Sequence, residues 1–297
     1  MSRRYPDWNV EGAHWPNREA SRFVTADGYD WHVQEMSGEN ADKPVCVMIH
    51  GTGAATHSWR DLMPALAGQY RVIAMDLPGH GFTRPNHARR VTLPAMSRSI
   101  GILLDDLGAV PDLLVGHSAG AAIALQLALE RQWSRPCVGL NPALLPFPGI
   151  AAKIFPTLAK ILFTNPFVSQ IFARRARYPG EAERFLKKAT GSRIDGVGRE
   201  AYRLLLTRSG HCDGAIRMMA SWQLDELEAR LGEISSPVML VHGRKDSAIP
   251  RSAVQKAGAL IANCRYEEIA DAGHLAHEEQ PEQIAALITG FVKSIRE

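Results

Sequence analysis

Five short apolar runs, Val45 to Ile49, Val72 to Met75, Leu113 to Val115, Val138 to Leu140 and Val238 to Val241, alternate along the chain with segments of helical spacing. Runs of this kind without polar alternation read as strands buried on both faces. Strands that alternate with helices pair in parallel and carry helices on both sides of the sheet. Ahead of them, Arg22 to Thr25 and Trp31 to Glu35 flank the turn Asp27-Gly28, the signature of a leading antiparallel hairpin. The first 21 residues, with Trp8 and Trp15, read as an arm laid over the surface. After the fourth parallel strand the alternation stops, and helical patterns broken by Pro146, Pro148, Pro156, Pro166 and Pro179 mark an inserted helical cap. It resumes at Pro237 with strand, turn, helix, strand and a final helix from Pro281 to Ile295. The expected organisation is a core of residues 1–142 and 233–297 interrupted by a cap at 143–232.

At 297 residues, with 45% hydrophobic and 22% charged residues, such a chain buries about 75% of its unfolded surface, so a sizeable core is expected. Lys plus Arg number 34 against 31 Asp plus Glu, an excess too small for neutralising a nucleic-acid backbone. The charge is uneven, because residues 143–232 hold 14 basic and 8 acidic residues. Arg174, Arg175, Arg177, Arg184, Lys187 and Lys188 form the densest group, either a solvated helix face or a surface that attracts an anionic ligand or partner. Cys46, Cys137, Cys212 and Cys264 are widely spaced, with no Cys-x-x-Cys pair and no His at ligand spacing; neither a zinc site nor a disulfide scaffold is expected. No apolar stretch follows Arg3-Arg4, so no secretory signal and a cytoplasmic location are expected. No uncharged run reaches the ~18 residues of a membrane span, which leaves peripheral membrane contact open.

The segment Leu113 to Leu125 reads as strand, tight turn and helix, with Gly116-His117-Ser118-Ala119-Gly120 on the turn. The bare Gly-x-Ser-x-Gly pattern is a weak signal in a chain with 25 glycines; the strand before it and the helix after it strengthen it. Small flanking residues let the strand fold sharply into the helix and lift Ser118 Oγ above the sheet, where the Ala119 N–H can donate to an oxyanion. A serine hydroxyl needs a base, and Ile269 to His274 places His274 in a glycine-containing loop between the last strand and the last helix. His277, His242, His117 and His50 are the rivals: His277 falls at a helix start, His242 at a strand end, His117 points into packing, and His50 orders its own loop. Asp246, directly after a strand, is the carboxylate expected to orient the base. Its alternative role is a turn residue, while Asp271 reads as a local cap and Asn141 is uncharged. The loop His50-Gly51-Thr52-Gly53 lets backbone N–H groups turn toward a ligand, so Thr52 or Gly53 is expected to supply the second oxyanion donor. Gly51-Thr52-Gly53 also mimics a dinucleotide loop, but no acidic residue other than Asp76 stands where a ribose would need one.

The order Ser118, Asp246, His274 resembles that of the α/β-hydrolase fold. So do a strand followed by His50-Gly51, the run Asp76-Leu77-Pro78-Gly79-His80-Gly81, the pattern Gly-x-x-Asp-x-x-x-Pro at 243–250 and Gly273-His274. The resemblance covers nearly the whole chain and implies a mostly parallel, eight-stranded sheet with the helical cap over it. Trp15 to Ser21, His50 to Arg60, Gly79 to Thr83, Met218 to Trp222 and Gly273 to Glu279 resemble the magnesium chelatase accessory proteins of bacteriochlorophyll biosynthesis. That likeness implies a phototrophic bacterium, magnesium chelatase subunits as partners and an acyl or porphyrin-related ligand.

The leading expectation is a serine hydrolase needing no metal or organic cofactor. Its catalytic residues are Ser118, His274 and Asp246, and its oxyanion donors are Ala119 with Thr52 or Gly53. The pocket aromatics are drawn from Phe147, Phe155, Phe163, Phe167, Phe172 and Trp222, with Phe147 and Trp222 foremost. Against it stands a chelatase-assisting or porphyrin-binding protein that uses the scaffold without turnover, and a third reading is a cofactor-independent peroxidase or oxygenase on the same triad.

Overall fold

Asp27 and Gly28 both adopt positive φ, 44° and 67°, and this two-residue turn joins β1 (Ser21–Ala26) to β2 (Tyr29–Met36) as an antiparallel hairpin. The computed structural model describes residues 4–37, 43–85, 91–146 and 166–296. Within them follow β3 (Val45–Ile49), β4 (Arg71–Met75), the two-residue β5 (Arg84–Pro85), β6 (Leu113–His117), β7 (Cys137–Leu140), β8 (Val238–Gly243) and β9 (Cys264–Ile269). Eight strands lie side by side in the order β1-β2-β4-β3-β6-β7-β8-β9, and β5 pairs with β2 off this path. From β4 to β9 every pairing is parallel, with Val45 opposite Arg71, Cys46 opposite Leu113 and Val238 opposite Cys264. All these strands therefore point their C-terminal ends at one edge of the sheet, where a doubly wound sheet carries its ligand crevice.

The described helices are α1 (Trp8–Glu11), α2 (Leu62–Ala67), α3 (Leu93–Asp106), α4 (Ala119–Arg131), α5 (Pro166–Arg175), α6 (Glu181–Thr190), α7 (Gly196–Leu206), α8 (Ser209–Ala220), α9 (Asp225–Arg230), α10 (Arg251–Leu260), α11 (Ala276–Glu279) and α12 (Pro281–Arg296). Side chains alternate across the strands and build two cores. Val47, Ile49, Ile73, Met75, Leu114 and Leu240 pack with α3, α4 and α10. Cys46, Met48, Val72, Ala74, Val115 and Met239 pack with α2 and α12 on the opposite face. The four cysteines are free thiols; burial pushes the Cys137 and Cys212 thiols up to about 12, which leaves them inert as nucleophiles.

Helices α5 to α8 form the described part of the cap. Its small core of Ala176, Ala182, Leu186, Tyr202 and Leu206 also takes in Ala54 and Leu275 from the loops at the sheet edge. Leu224, Leu227 and Leu231 instead join the core around α4, so α9 packs with the sheet layer and the described cap helices end at Ala220. The N-terminal arm runs mostly along the surface, with Trp15 as its buried anchor. Trp15 is only 4% exposed, packs with Phe82 and with Leu205 of α7, and donates from Nε1 to Thr56 Oγ1 at 3.0 Å. Tyr5 lies against Gly210, whose N–H donates to the Arg4 carbonyl at 2.7 Å. An indole with one polar atom is well suited to such a seam, because its rings take apolar contact while its N–H finds a partner.

The helix α4 meets the sheet at two glycines. A Cβ on Gly120 would lie 2.0 Å from the Ile49 carbonyl oxygen, and one on Gly116 would lie 2.4 Å from the Gly120 carbonyl oxygen. Gly120→Ala should therefore cost about 3 kcal/mol or more by overpacking. Gly68→Ala, with normal φ and no atom within 4 Å of the added carbon, should change stability by less than about 1 kcal/mol. Urea unfolding midpoints compare the two; equal losses would contradict the clearance argument.

Candidate active site

Ser118 stands between β6 and α4 with φ 52° and ψ −118°, outside the regions that L-residues favour, at a cost of about 1–3 kcal/mol. Backbone bonds hold it there: Ser118 N–H donates to Leu140 O at 2.9 Å, and its carbonyl accepts from Ala121 and Ala143, each at 3.1 Å. The side chain is half-buried, and its hydroxyl has no hydrogen-bond partner among the described residues. As the first residue of α4, Ala119 has an N–H with no intrahelical acceptor.

His274 Nδ1 lies 2.8 Å from Asp246 Oδ2. The other oxygen of Asp246 accepts from the N–H groups of Ala248 at 2.7 Å and Ile249 at 3.0 Å, and Asn141 Nδ2 donates to Oδ2 at 2.8 Å. Burial opposes ionisation of Asp246, yet the hydrogen bond and charge of His274, followed by the Ile249 N–H and Asn141, hold its carboxyl below the usual range. An ionised Asp246 makes Nδ1 the protonated nitrogen and leaves Nε2 as an acceptor. The local turn bonds foreseen for Asp246 are thus present together with its bond to the imidazole. Asn141 is the partner that sequence reasoning missed. Being uncharged it cannot replace the carboxylate, but its amide supports it and also donates to Gly273 O at 3.3 Å.

The loop bearing His274 is tied to the cap. His274 N–H donates to Thr190 O at 2.8 Å, Leu275 N–H to Ser192 Oγ at 2.8 Å, and Gly273 N–H to Glu279 Oε1 at 2.7 Å. Arg60 bridges Glu278 at 2.5 Å and Asp195 at 3.0 Å, while Tyr202 and Ser58 donate to Glu278 at 2.8 and 2.6 Å. This cluster, buried except at Asp195, joins the loop after β3, the cap and the segment following His274, and nothing in the local sequence around any member announces it.

The rival histidines occupy other places. His50 Nδ1 lies 2.7 Å from Gly51 O and its Nε2 accepts from Leu77 N–H at 2.9 Å, so it orders its own loop. His242 Nε2 sits 3.1 Å from Ile249 O. His277 Nε2 lies 2.8 Å from Ser58 Oγ, within α11. His117 donates from Nε2 to the His274 carbonyl at 2.9 Å, and burial followed by the neighbouring His274 keeps it well below the usual histidine range. Asp271 is exposed and pairs with Lys245 at 2.9 Å.

The structure brings Asp246 and His274 into contact and places His117, the residue before Ser118, 4.8 Å from the His274 ring between centroids; it forms no hydrogen bond between Ser118 and His274. Such bonds are often long without substrate. Thr52, Gly53, His117 and His274 all border one cavity of about 310 Å³, lined from the cap side by Phe172, Phe185, Leu186 and Met219. Gly53 has φ 80°, and neither the Thr52 nor the Gly53 N–H donates to another described group. Of the aromatics foreseen for the pocket, Phe172 lines it and Phe167 is 63% exposed. Trp222 corrects the expectation: it packs partly buried against the core around α4 and does not line this cavity. Phe147, Phe155 and Phe163 lie outside the described residues. The basic group is also external to the cavity, with Arg175 and Arg184 at the surface and paired with Glu181 at 2.8 and 2.5 Å. Among the described residues no set of three or more His, Cys, Asp or Glu is arranged to hold a metal, and no helix is long and apolar enough to cross a membrane.

Residues 46–287 match the alpha/beta hydrolase family. The chain belongs to that family. It is 38% identical to the magnesium-chelatase 30 kDa subunit of Rhodobacter capsulatus over 285 residues, 95% of this chain and 97% of that one. It is 28% identical to a 2-hydroxy-6-oxononadienedioate/2-hydroxy-6-oxononatrienedioate hydrolase of Pseudomonas putida, covering 88% of this chain and 91% of the relative. In fold it is similar to the enol-lactonase of Burkholderia xenovorans LB400, with a TM-score of 0.70 at 18% identity over 92% of this chain and 100% of that one.

The lowered Asp246 pKa has a stability consequence of definite sign. The folded state prefers the ionised carboxyl, so its contribution is full above the unfolded-state value near 3.8 and is lost as pH falls through the lower folded value. The stability difference between wild type and Asp246→Asn should stay level from pH 7 down to the unfolded-state value near 3.8 and shrink below it, closing at the lower folded value, measured by urea unfolding across pH. A gap that widens on acidification would reverse the assignment.

Proposed function

We propose that this member of the alpha/beta hydrolase family is a serine hydrolase of ester-like bonds. The observation that carries the reading is the Asp246–His274 bond, which leaves Nε2 as the proton acceptor beside the strained serine turn. Ser118 Oγ attacks the carbonyl carbon and passes its proton to His274 Nε2. The oxyanion accepts from the Ala119 N–H and from Thr52 or Gly53 across the crevice. Collapse of the tetrahedral species breaks the ester bond, and Nε2 returns the proton to the leaving oxygen. Water deprotonated by the same imidazole then attacks the acyl carbon and frees Ser118. Asp246 stays ionised throughout and stabilises the imidazolium.

The cavity favours an uncharged acyl group. Its wall is mostly apolar, its polar members include Thr52, Thr190, Tyr202 and His211, and no Lys or Arg lines it among the described residues. A carboxylate placed there would lose hydration without a cation to replace it. A second reading, a protein that assists magnesium insertion in bacteriochlorophyll synthesis without cleaving a bond, is favoured by the relative named as a magnesium-chelatase subunit.

Ser118→Ala separates the two. Under the first reading it abolishes labelling by a serine-reactive phosphonate and lowers ester turnover by about 10⁴-fold or more, and Asp246→Asn lowers kcat by about 10⁴-fold. Undiminished support of magnesium insertion by Ser118→Ala would favour the non-catalytic reading. Neutral p-nitrophenyl esters of short to medium acyl chains should exceed their ω-carboxylated counterparts in kcat/KM; the reverse ranking would refute the uncharged-acyl assignment.

A further inference from the structure

His211 is the only histidine in the stretch 143–232, and it sits in α8, in the cap rather than the sheet layer. It is fully buried and lines the cavity. Its two ring nitrogens have opposite duties. The Gly81 N–H donates to Nδ1 at 3.1 Å, so Nδ1 must present its lone pair. The proton then resides on Nε2, which lies 3.1 Å from the Gly53 carbonyl oxygen and donates to it. Burial keeps the ring neutral by pushing its pKa down to about 4.

The partner of that bond is the loop whose N–H groups stand unpaired at the crevice. Its other glycine carbonyl, Gly51 O, accepts from His50 Nδ1 at 2.7 Å and from the Ala54 N–H at 3.2 Å. One imidazole from the sheet and one from the cap therefore pin the carbonyls on either side of Thr52. The Gly51 carbonyl shares its peptide plane with the Thr52 N–H and the Gly53 carbonyl shares its plane with the Ala54 N–H, so pinning both holds the two planes that flank the Thr52–Gly53 peptide and leaves that unit only a rotation about its Cα–Cα axis. Gly53, at φ 80° with nothing within 4 Å of an added Cβ, has no side-chain packing of its own to do this.

We infer that His211 is a positioning residue that anchors the Gly53 carbonyl and thereby holds in place the loop whose Thr52 and Gly53 N–H groups face the developing oxyanion. The cap would then be a working part of the oxyanion site as well as the wall of the acyl cavity. The catalytic consequence rests on the serine-hydrolase reading; the anchoring itself does not.

Two substitutions divide the duties of the ring. Asn at position 211 offers an acceptor near the place of Nδ1 and nothing at Nε2, whereas Gln offers a donor near the place of Nε2. His211→Asn should lower kcat on a neutral p-nitrophenyl ester, and the rate of Ser118 phosphonylation, by about tenfold to a hundredfold with KM within about twofold. His211→Gln should recover most of that rate. Thermal midpoints report whether both variants fold. An unchanged rate in His211→Asn, or an equal loss in both folded variants, overturns the inference, the second outcome assigning His211 to packing alone. If wild type itself is neither labelled nor active, the hydrolase reading fails, and ¹⁵N spectra of His211 still decide the anchoring. A proton on Nε2 with Nδ1 bare is expected, and the opposite tautomer overturns it.

Discussion

The first turn of α4 lies against the end of β3 with no room for one additional carbon, and the rest of the site inherits its geometry from that contact. Gly120 brings the helix onto the carbonyls of Ile49 and His50, and Gly116 lets the strand fold back under it. With the helix seated so close, Ser118 joins strand to helix in a positive-φ conformation. The unpaired N–H groups at the start of α4 then open onto the edge where β3, β7, β8 and β9 also end. Loops from those strands carry the glycine loop, Asn141, Asp246 and His274 to the same place, as parallel pairing requires.

Around this edge the protein uses neutral imidazoles as rigid connectors. Burial, the leading cause in each case, lowers the pKa of His50, His80, His117, His211 and His277. A neutral ring can bind a carbonyl through one nitrogen and an N–H through the other without bringing a charge into a low-dielectric region. His50 does this between Gly51 and Leu77, and His211 between Gly53 and Gly81. Charge is confined to partnered groups: Asp76 with His32 and the N–H groups of Thr56 and Phe82, Asp246 with His274, and Glu278 with Arg60.

The sheet was legible because strands buried on both faces leave uninterrupted apolar runs, and Val45 to Ile49 appears in the structure with the expected bounds. The contact of Asp246 with His274 was legible because each stands directly after a strand of a parallel sheet, where topology alone dictates convergence. Asn141 and His211 were not legible in their roles, since each acts through a hydrogen bond to a residue more than a hundred positions away in the chain. Their residue types only say that a donor is present. Trp222 illustrates the reverse difficulty: an aromatic in a helical region satisfies pocket wall and core equally until packing decides between them. The burial of Trp15 was hidden for a similar reason, because its socket is assembled from Phe82, Thr56 and α7.

The bonds from His274 and Leu275 to the 190–192 segment couple the cap to the imidazole, so a swing of the cap as a hinged cover would have to break them. Lifting it with them intact would draw the imidazole away from Asp246. Among the described residues the half-exposed Phe185 and Met219 border the cavity from the cap side, where a side-chain rotation would widen it without moving the backbone.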